Sequence, residues 1–253
     1  MTGLSIRDVT VAYGGFRALD DVTLELPLRQ TVGLVGESGS GKSTLARVVA
    51  GLIVPQTGTL ELGGRPLQRR RTREQRKKIQ MVFQNPDASL NPKLTVLQQL
   101  SEALLFHRIV PRQHVVDRCR QLLAQIHIDA DALDRYPHEF SGGQRQRIAM
   151  ARALGVEPDV LVADEPTSAL DVSVQLSTLG LFQQVKNDQP LTVLFISHDL
   201  GVIHAVSDVV AVMRRGVLVE VSPKDQFFAG PQTDYGRNLL AAVPRIPGYN
   251  KEL

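Results

Sequence analysis

The 253-residue chain has little of what small secreted proteins or membrane-embedded proteins depend on: one cysteine, no tryptophan, and only 5% aromatic residues. A lone Cys119 excludes an internal disulfide and a cysteine-built zinc site. No run approaches the roughly 20 apolar residues of a membrane-spanning helix. The longest uncharged helical stretch, Val172 to Val185, is interrupted by Ser173, Gln175, Ser177, Thr178, Gln183 and Gln184. Met1 to Gly15 lack the basic start and unbroken apolar run of a secretory signal, so a cytoplasmic location is expected, with any membrane role coming through partners. Neither sign of charge dominates: 29 Lys and Arg against 26 Asp and Glu leave +3, too little for wholesale nucleic-acid binding.

The chain does have length enough to bury about 70–75% of its unfolded surface, so its core needs no disulfide or structural metal. It also has one concentrated basic run. Arg65 to Lys78 holds eight basic residues against the single acid Glu74, which reads first as a solvated face and second as a surface for anionic lipid or nucleic acid.

Apolar runs alternate with helical patterns. Leu4 to Val11 reads as strictly alternating and is expected to be a half-buried strand. Thr31 to Val35, Val160 to Ala163, Leu191 to Ile196 and Val209 to Met213 are continuously apolar, as expected of strands covered on both faces of a parallel sheet. Three of them lead into Gly36, Asp164 and Ser197, and in such sheets the ligand sits beyond the strand ends. From about Thr95 to Leu154 helices take over. One places Val96, Leu100, Ala103 and His107 on one side; the next places Val115, Cys119, Leu122 and Ile126 there, with Pro111 in its first turn. Cys119 falls on the apolar stripe, so it reads as a core residue and not as a reactive thiol. His107, His114 and His127 lack metal-ligand spacing. Near the C-terminus Pro223, Pro231, Pro244 and Pro247 punctuate short helical pieces such as Asp234 to Val243, a tail expected to pack on the core.

Two loops and a pair of acids carry the chemistry. Gly36-Glu37-Ser38-Gly39-Ser40-Gly41-Lys42-Ser43-Thr44 matches G-x-x-x-x-G-K-[ST] and lies between an apolar strand and a helix, the context its mechanism needs. Its glycines let backbone N–H groups wrap phosphate oxygens; Lys42 would neutralise the β- and γ-phosphates and the Ser43 hydroxyl would coordinate Mg²⁺. Asp164 and Glu165 end a buried strand, where carboxylates are costly unless a cation meets them. Asp164 is therefore expected in the magnesium shell and Glu165 as the base that polarises the attacking water. His198, after the strand ending at Ile196, could bond the γ-phosphate or that water. Phe140-Ser141-Gly142-Gly143-Gln144 precedes an apolar-periodic helix and is a second N-terminus suited to an anion.

This ordered set resembles the ATP-binding subunit of an ABC transporter, whose signature is usually Leu-Ser-Gly-Gly-Gln; Phe140 stands for the leucine. The resemblance covers about Leu4 to Pro244. It includes Tyr13 at the adenine-stacking place, Gln84 in Met-Val-Phe-Gln as a further magnesium-side residue, Ser168-Ala-Leu-Asp171 after the acids, and His198 as the switch histidine. It implies an α/β P-loop ATPase fold with a parallel-sheet core, an antiparallel β subdomain and an inserted helical subdomain. The expected layout is a core of about 1–94 and 156–222, a helical insertion of about 95–155 and a tail of about 223–253. It implies ATP and Mg²⁺ as cofactors and a head-to-tail dimer in which Ser141, Gly142, Gly143, Gln144 and Asp171 serve the nucleotide sites, Ser141 and Gly143 touching the facing subunit's ATP. It also implies membrane permeases engaged near Gln84, an indirect substrate-binding protein, and a peripheral place on the cytoplasmic face of the cell membrane.

A narrower resemblance, to the peptide/nickel importer branch, rests on Asn85-Pro-Asp-Ala-Ser-Leu-Asn-Pro92, Tyr136-Pro-His-Glu139 and the tail Asp234 to Pro244. The tail reads Thr233-Asp234-Tyr235 where the branch usually has His-Pro-Tyr. With Cys119 alone, the cysteine cluster that some members carry after this tail has no counterpart. The rival reading is a soluble ATPase of the same fold acting on nucleic acid or ribosomes. It lacks the coiled-coil or zinc insertions of repair relatives and the second cassette of translation-factor relatives.

Overall fold

The computed structural model describes residues 2–168 and 170–242. Val243, Pro244 and Pro247 of the expected tail lie outside them. In chain order the elements are β1 (Thr2–Tyr13), β2 (Phe16–Pro27), β3 (Thr31–Val35), α1 (Lys42–Val49), β4 (Thr57–Leu62), β5 (Arg65–Pro66), α2 (Arg73–Lys78), β6 (Ile79–Val82), α3 (Val96–Phe106), α4 (Val115–Gln125), α5 (Gly142–Leu154), β7 (Val160–Asp164), α6 (Val172–Asp188), β8 (Thr192–Ile196), α7 (Leu200–Val206), β9 (Val209–Arg214), β10 (Val217–Pro223), α8 (Lys224–Ala229) and α9 (Asp234–Ala241). They form two compact units, one from the chain up to Arg70 together with that from Leu191 onward, the other from Arg71–Pro190. Among the described residues no helix is long and apolar enough to cross a membrane.

The first unit contains an antiparallel sheet of order β2-β1-β4-β5 and the run β10-β9-β3-β8. In β1 the alternation is not strict. Ile6 and Val9 are both fully buried although three positions apart, and the strand absorbs the extra residue in a bulge with Asp8 at φ 51°. Thr23 fills the bend by hydrogen-bonding both the Asp8 N–H and the Asp8 carboxylate, at 3.0 and 2.9 Å. Gly14 and Gly15, at φ 52° and 89°, then turn the chain so that Tyr13 pairs Phe16; two consecutive positive φ values are what a tight hairpin turn requires. β3 runs parallel to both β8 and β9, and all five of its residues are buried, as its uninterrupted apolar run predicts.

The second unit pairs β6 with β7 in parallel and surrounds them with helices. The buried residues of α3 are Val96, Gln99, Leu100 and Leu104, so the stripe turns away from Ala103, and His107 caps the helix instead of extending it. Gln99 is tolerated in the core because its amide accepts the Asn91 N–H at 2.8 Å and donates to the Leu94 carbonyl at 3.1 Å, leaving neither end unsatisfied. Pro111 stands before a one-turn 3₁₀ segment, Arg112–His114, and α4 begins only at Val115. Cys119 is fully buried on α4, with Ser101 3.7 Å from its sulfur, and burial pushes its thiol pKa up, as befits an inert core group.

The basic run divides between the two units. Arg65 belongs to β5, and Arg69 donates to the Gln56 carbonyl at 3.1 Å. In the other unit, Thr72 and Gln75 cap α2 reciprocally, Arg71 is buried with its carbonyl accepting from Arg76, and Lys78 lies 3.5 Å from Asp159. Several of the eight charges therefore serve the local fold.

Candidate functional site

The P-loop leaves β3 at Gly36 and enters α1 at Lys42, and its glycines are there for space as much as for flexibility. A Cβ on Gly36 would stand 2.1 Å from the Met213 carbonyl, and one on Gly41 2.5 Å from the Ala18 carbonyl. Their φ values, 151° and 111°, are also ones that L side chains rarely adopt. The loop is tied down from β10's turn: Gly216 donates to the Ser40 carbonyl at 2.8 Å, and its own carbonyl accepts from Asp20 at 2.9 Å. Lys42 is buried, its ammonium donating to the Gly36 and Glu37 carbonyls at 2.8 Å each. Gly41 caps α1 in the left-handed region with no side-chain bond, so the first turn's N–H groups are not consumed by a cap.

Whether this loop suits a nucleotide can be judged from its own polar atoms. Ser40 Oγ is buried and makes no hydrogen bond, and a positive charge is held at the mouth of a helix N-terminus; both features match an anionic, oxygen-rich ligand. Glu37, Ser38, Gly39, Ser43 and Thr44 occupy the rest of this turn and the start of α1. In the same unit Tyr13 is half exposed beside the glycine turn, its ring open to solvent for stacking. His198 is exposed just after β8. It is held in a rigid corner: Ser197 Oγ accepts the Asp199 N–H at 3.0 Å, and Asp199 caps α7 through Gly201 and Val202.

The second unit brings together Gln84, Glu165 and Ser168. Asp164 is buried as the last residue of β7. Glu165 follows with φ 47°, a strained backbone for a residue with a Cβ, and such strain is kept where the surroundings demand it. Gln84, two residues past β6, donates from Nε2 to Glu165 Oε2 at 3.1 Å and to Ser168 Oγ at 3.2 Å, while Ser168 Oγ donates to the Glu165 carbonyl at 3.1 Å. This orientation of the Gln84 amide leaves its oxygen Oε1 available as a hard ligand.

The signature loop has its own local logic. Ser141 caps α5, its Oγ accepting the Gln144 N–H at 3.3 Å, while Gln144 Oε1 accepts the Ser141 N–H at 3.0 Å. Gly143 cannot be replaced cheaply, since a Cβ there would fall 2.2 Å from Val174 Cγ1 of α6; Gly142 has no such neighbour. Phe140 is buried, as the usual leucine would be. Asp171 caps α6 through the Val174 N–H at 3.0 Å and accepts from Ser173 Oγ at 2.7 Å. The Val174 amide, with Ser173 adding to it, holds its carboxyl below the usual carboxylate range.

Sequence reasoning missed two residues that organise the site. Gln146, buried on α5, donates to the Phe83 carbonyl at 3.2 Å, and Arg145 pairs with Asp87 at 3.3 Å, so the signature helix is tied to the segment carrying Gln84. Tyr235, in the tail, bonds the Glu37 N–H. A polar residue on the inner side of α5 was a visible signal for the first; the second stood in the tail motif, with nothing local to name its partner.

Residues 19–168 match the ABC transporter family. The chain is 43% identical to the di/tripeptide transport ATP-binding protein DppF of Pseudomonas aeruginosa, over 97% of this chain and 80% of that one. It is 44% identical to the dipeptide transport ATP-binding protein DppF of Escherichia coli, over 91% and 70%, and 41% identical to the oligopeptide transport ATP-binding protein OppF of Bacillus subtilis, over 91% and 77%. Among solved structures, cbiO1 of Clostridium perfringens, part of the ABC transporter complex cbiONQ, superposes with a TM-score of 0.79 at 26% identity, over 96% of each chain. Sharing that fold over nearly its whole length and carrying the phosphate loop, paired acids and signature loop described above, the chain belongs to the ABC transporter family as one of its ATPases.

Proposed function

We propose that the chain is the ATP-hydrolysing subunit that energises import of a peptide, or of the nickel or metal-chelate cargo of the same branch, through separate membrane subunits. The observation that carries this reading is its identity of 41–44% to ATP-binding proteins named for dipeptide, di/tripeptide and oligopeptide transport. The rival action on nucleic acid finds no support among these relatives, and several charges of the basic run are already committed to local structure.

ATP is bound by Gly36 to Thr44, with Lys42 meeting the phosphates and Tyr13 stacking on the base. Ser43, Gln84 through Oε1, and Asp164 are the oxygen donors suited to Mg²⁺, a hard cation that prefers a few protein oxygens beside substrate phosphates. When bound, that ion offsets the charge of the phosphate oxygens. Glu165 accepts the proton of the attacking water, held in place by Gln84, and His198 donates a hydrogen bond to the γ-phosphate side. Ser141, Gly142, Gly143 and Gln144, with Asp171, belong to the composite site of a head-to-tail dimer with the same or a related subunit. Permeases engage the region around Gln84 from the cytoplasmic face of the membrane, and a substrate-binding protein acts through them.

Glu165→Gln tests the chemistry, since the amide keeps shape and loses basicity. ATP binding should persist while turnover falls by about 10²–10⁴-fold, the range a positioned base contributes. Hydrolysis at the unaltered rate would refute the assignment. Reconstitution with candidate permeases and a labelled dipeptide tests the cargo; ATP-driven uptake is expected, and its absence with active ATPase would point to another substrate of the branch.

A further inference from the structure

The nucleotide loop is gripped from outside its own motif. Tyr235 of α9 is buried, and its hydroxyl oxygen accepts the Glu37 N–H at 3.2 Å. Its ring lies 4.8 Å from the Arg214 guanidinium, and Arg214 follows Met213, whose carbonyl closes on Gly36. The tyrosine is therefore stacked on the strand end that also shapes the loop's first glycine.

The helix that carries it is seated with care. Glu220 of β10, a buried carboxylate, accepts the N–H groups of Gln232 and Thr233 at 2.9 and 3.0 Å and the Thr233 hydroxyl at 2.7 Å. Thr233 Oγ1 in turn caps α9 by accepting the Gly236 N–H at 3.0 Å. Gly236 is required by the same seat, because a Cβ there would stand 2.7 Å from Glu220 Oε2. On the other side of Glu37, its carbonyl accepts the Lys42 ammonium at 2.8 Å. Both polar backbone atoms of Glu37 are thus spoken for, one by the tail and one by the phosphate lysine.

We propose that Tyr235 is a positioning residue of the nucleotide loop: its hydroxyl fixes Glu37, and through the Glu37 carbonyl it fixes Lys42, so that the docked tail raises the affinity for ATP. The proposal rests on ATP binding at this loop. Holding a ligand-binding group in its bound geometry before the ligand arrives increases affinity by removing the entropy of ordering it. The tail then acts on nucleotide binding without touching nucleotide, and anything that lifts α9 from its seat loosens the loop.

Tyr235→Phe, made in the full chain, keeps the ring and its stacking on Arg214 and removes only the hydroxyl. The dissociation constant for ATP, by calorimetric titration, should rise about three- to tenfold, the effect of losing one hydrogen bond. The change should fall on KM rather than kcat, and exchange of the Glu37 amide hydrogen should quicken, a local signature that a merely stabilising tail would not give. Thr233→Val, which unseats α9 without altering Tyr235, should move ATP affinity in the same direction. Unchanged affinity in either folded variant, or a lowered melting temperature with no change in affinity, overturns the proposal. Failure of the unaltered protein to bind ATP would instead remove the nucleotide reading beneath it, and the proposal with it.

Discussion

Two helix N-termini of the chain, those of α1 and α5, are finished in different ways. At α1 the cap is Gly41, which makes no side-chain bond, and Lys42 is poised inside the turn. At α5 the cap is Ser141, locked with Gln144 in a reciprocal pair that takes up the Gln144 amide of the first turn and the N–H of Ser141 itself. The first end carries its own cation inside the turn; at the second the cap takes up one amide, and the nearest cation, Arg145, is turned back to the Phe140 carbonyl and to Asp87. A lone subunit should therefore bind nucleotide through α1, while α5 contributes only where a nucleotide is already held by another loop. The glycines teach the same lesson. Gly36 and Gly41 are shaped by backbone carbonyls around the loop, whereas Gly143 is shaped by the methyl of Val174, a packing demand inside its own unit.

The sharpest way to break this contrast is Lys42→Ala, which removes the cation from the α1 end. ATP affinity of the isolated subunit should drop by about 10–100-fold, the equivalent of a hydrogen bond to a charged group. Equilibrium binding of a fluorescent ATP analogue measures it, and normal affinity would contradict the assignment of the loop.

Gly143→Ala should be next in size. Forcing a methyl into 2.2 Å from Val174 should destabilise the fold by about 1–3 kcal/mol, as overpacking does, with ATP affinity of the isolated subunit little changed. The double variant Gly143→Ala with Val174→Ala should recover most of that stability in a chemical denaturation series. No recovery would mean that the glycine is needed for something other than space.

Ser141→Ala should cost about 0.5–2 kcal/mol through loss of the cap, again sparing ATP binding to the isolated subunit. Ser141→Arg should block hydrolysis by the dimer while leaving that binding intact. A loss of nucleotide affinity in either isolated variant would show that α5 binds nucleotide by itself.

The smallest expected effect is a pH dependence of the tail. Burial pushes the Glu220 carboxyl up, but the Thr233 hydroxyl, the Gln232 and Thr233 amides and the nearby Arg237 outweigh it and hold its pKa below the usual carboxylate value. A carboxyl depressed on folding contributes stability above its unfolded pKa, about 4.3, and loses it as pH falls through the lower folded value. Hydrogen-exchange protection of α9 should therefore be level between about pH 5 and 7 and fall as the medium becomes more acidic than about pH 4. Glu220→Gln should flatten that response; an unaltered acid response in the variant would assign it to another group.

Much of the local structure around the candidate site was legible because it is contiguous. Gly36 to Thr44 is a motif whose glycines stand where the backbone takes a positive φ or passes close to a carbonyl, and both needs are local. The fully buried strands β3, β7 and β8, and the buried middle of β9, were legible for a similar reason, since a strand covered on both faces is mostly apolar. The antiparallel sheet was harder to read. Val22, Leu24 and Leu26 of β2 alternate visibly, but alternation names a face and not a partner. In β1 the three-residue step from Ile6 to Val9 looked like plain alternation until a bulge accounted for it.

By itself, then, the sequence determined the strand–loop–helix turn of Gly36 to Thr44, the acids at a strand end, the capped helix after Phe140 and the buried strands, because each is set by neighbours within a few residues. Only the tertiary structure decided that Gln84 holds Glu165, 81 residues away, and that Tyr235 holds Glu37, 198 residues away. A hydrogen bond needs both partners within about 3 Å. Between residues so far apart in the chain, that distance is set by how whole strands and helices pack, and no local pattern of residues records it.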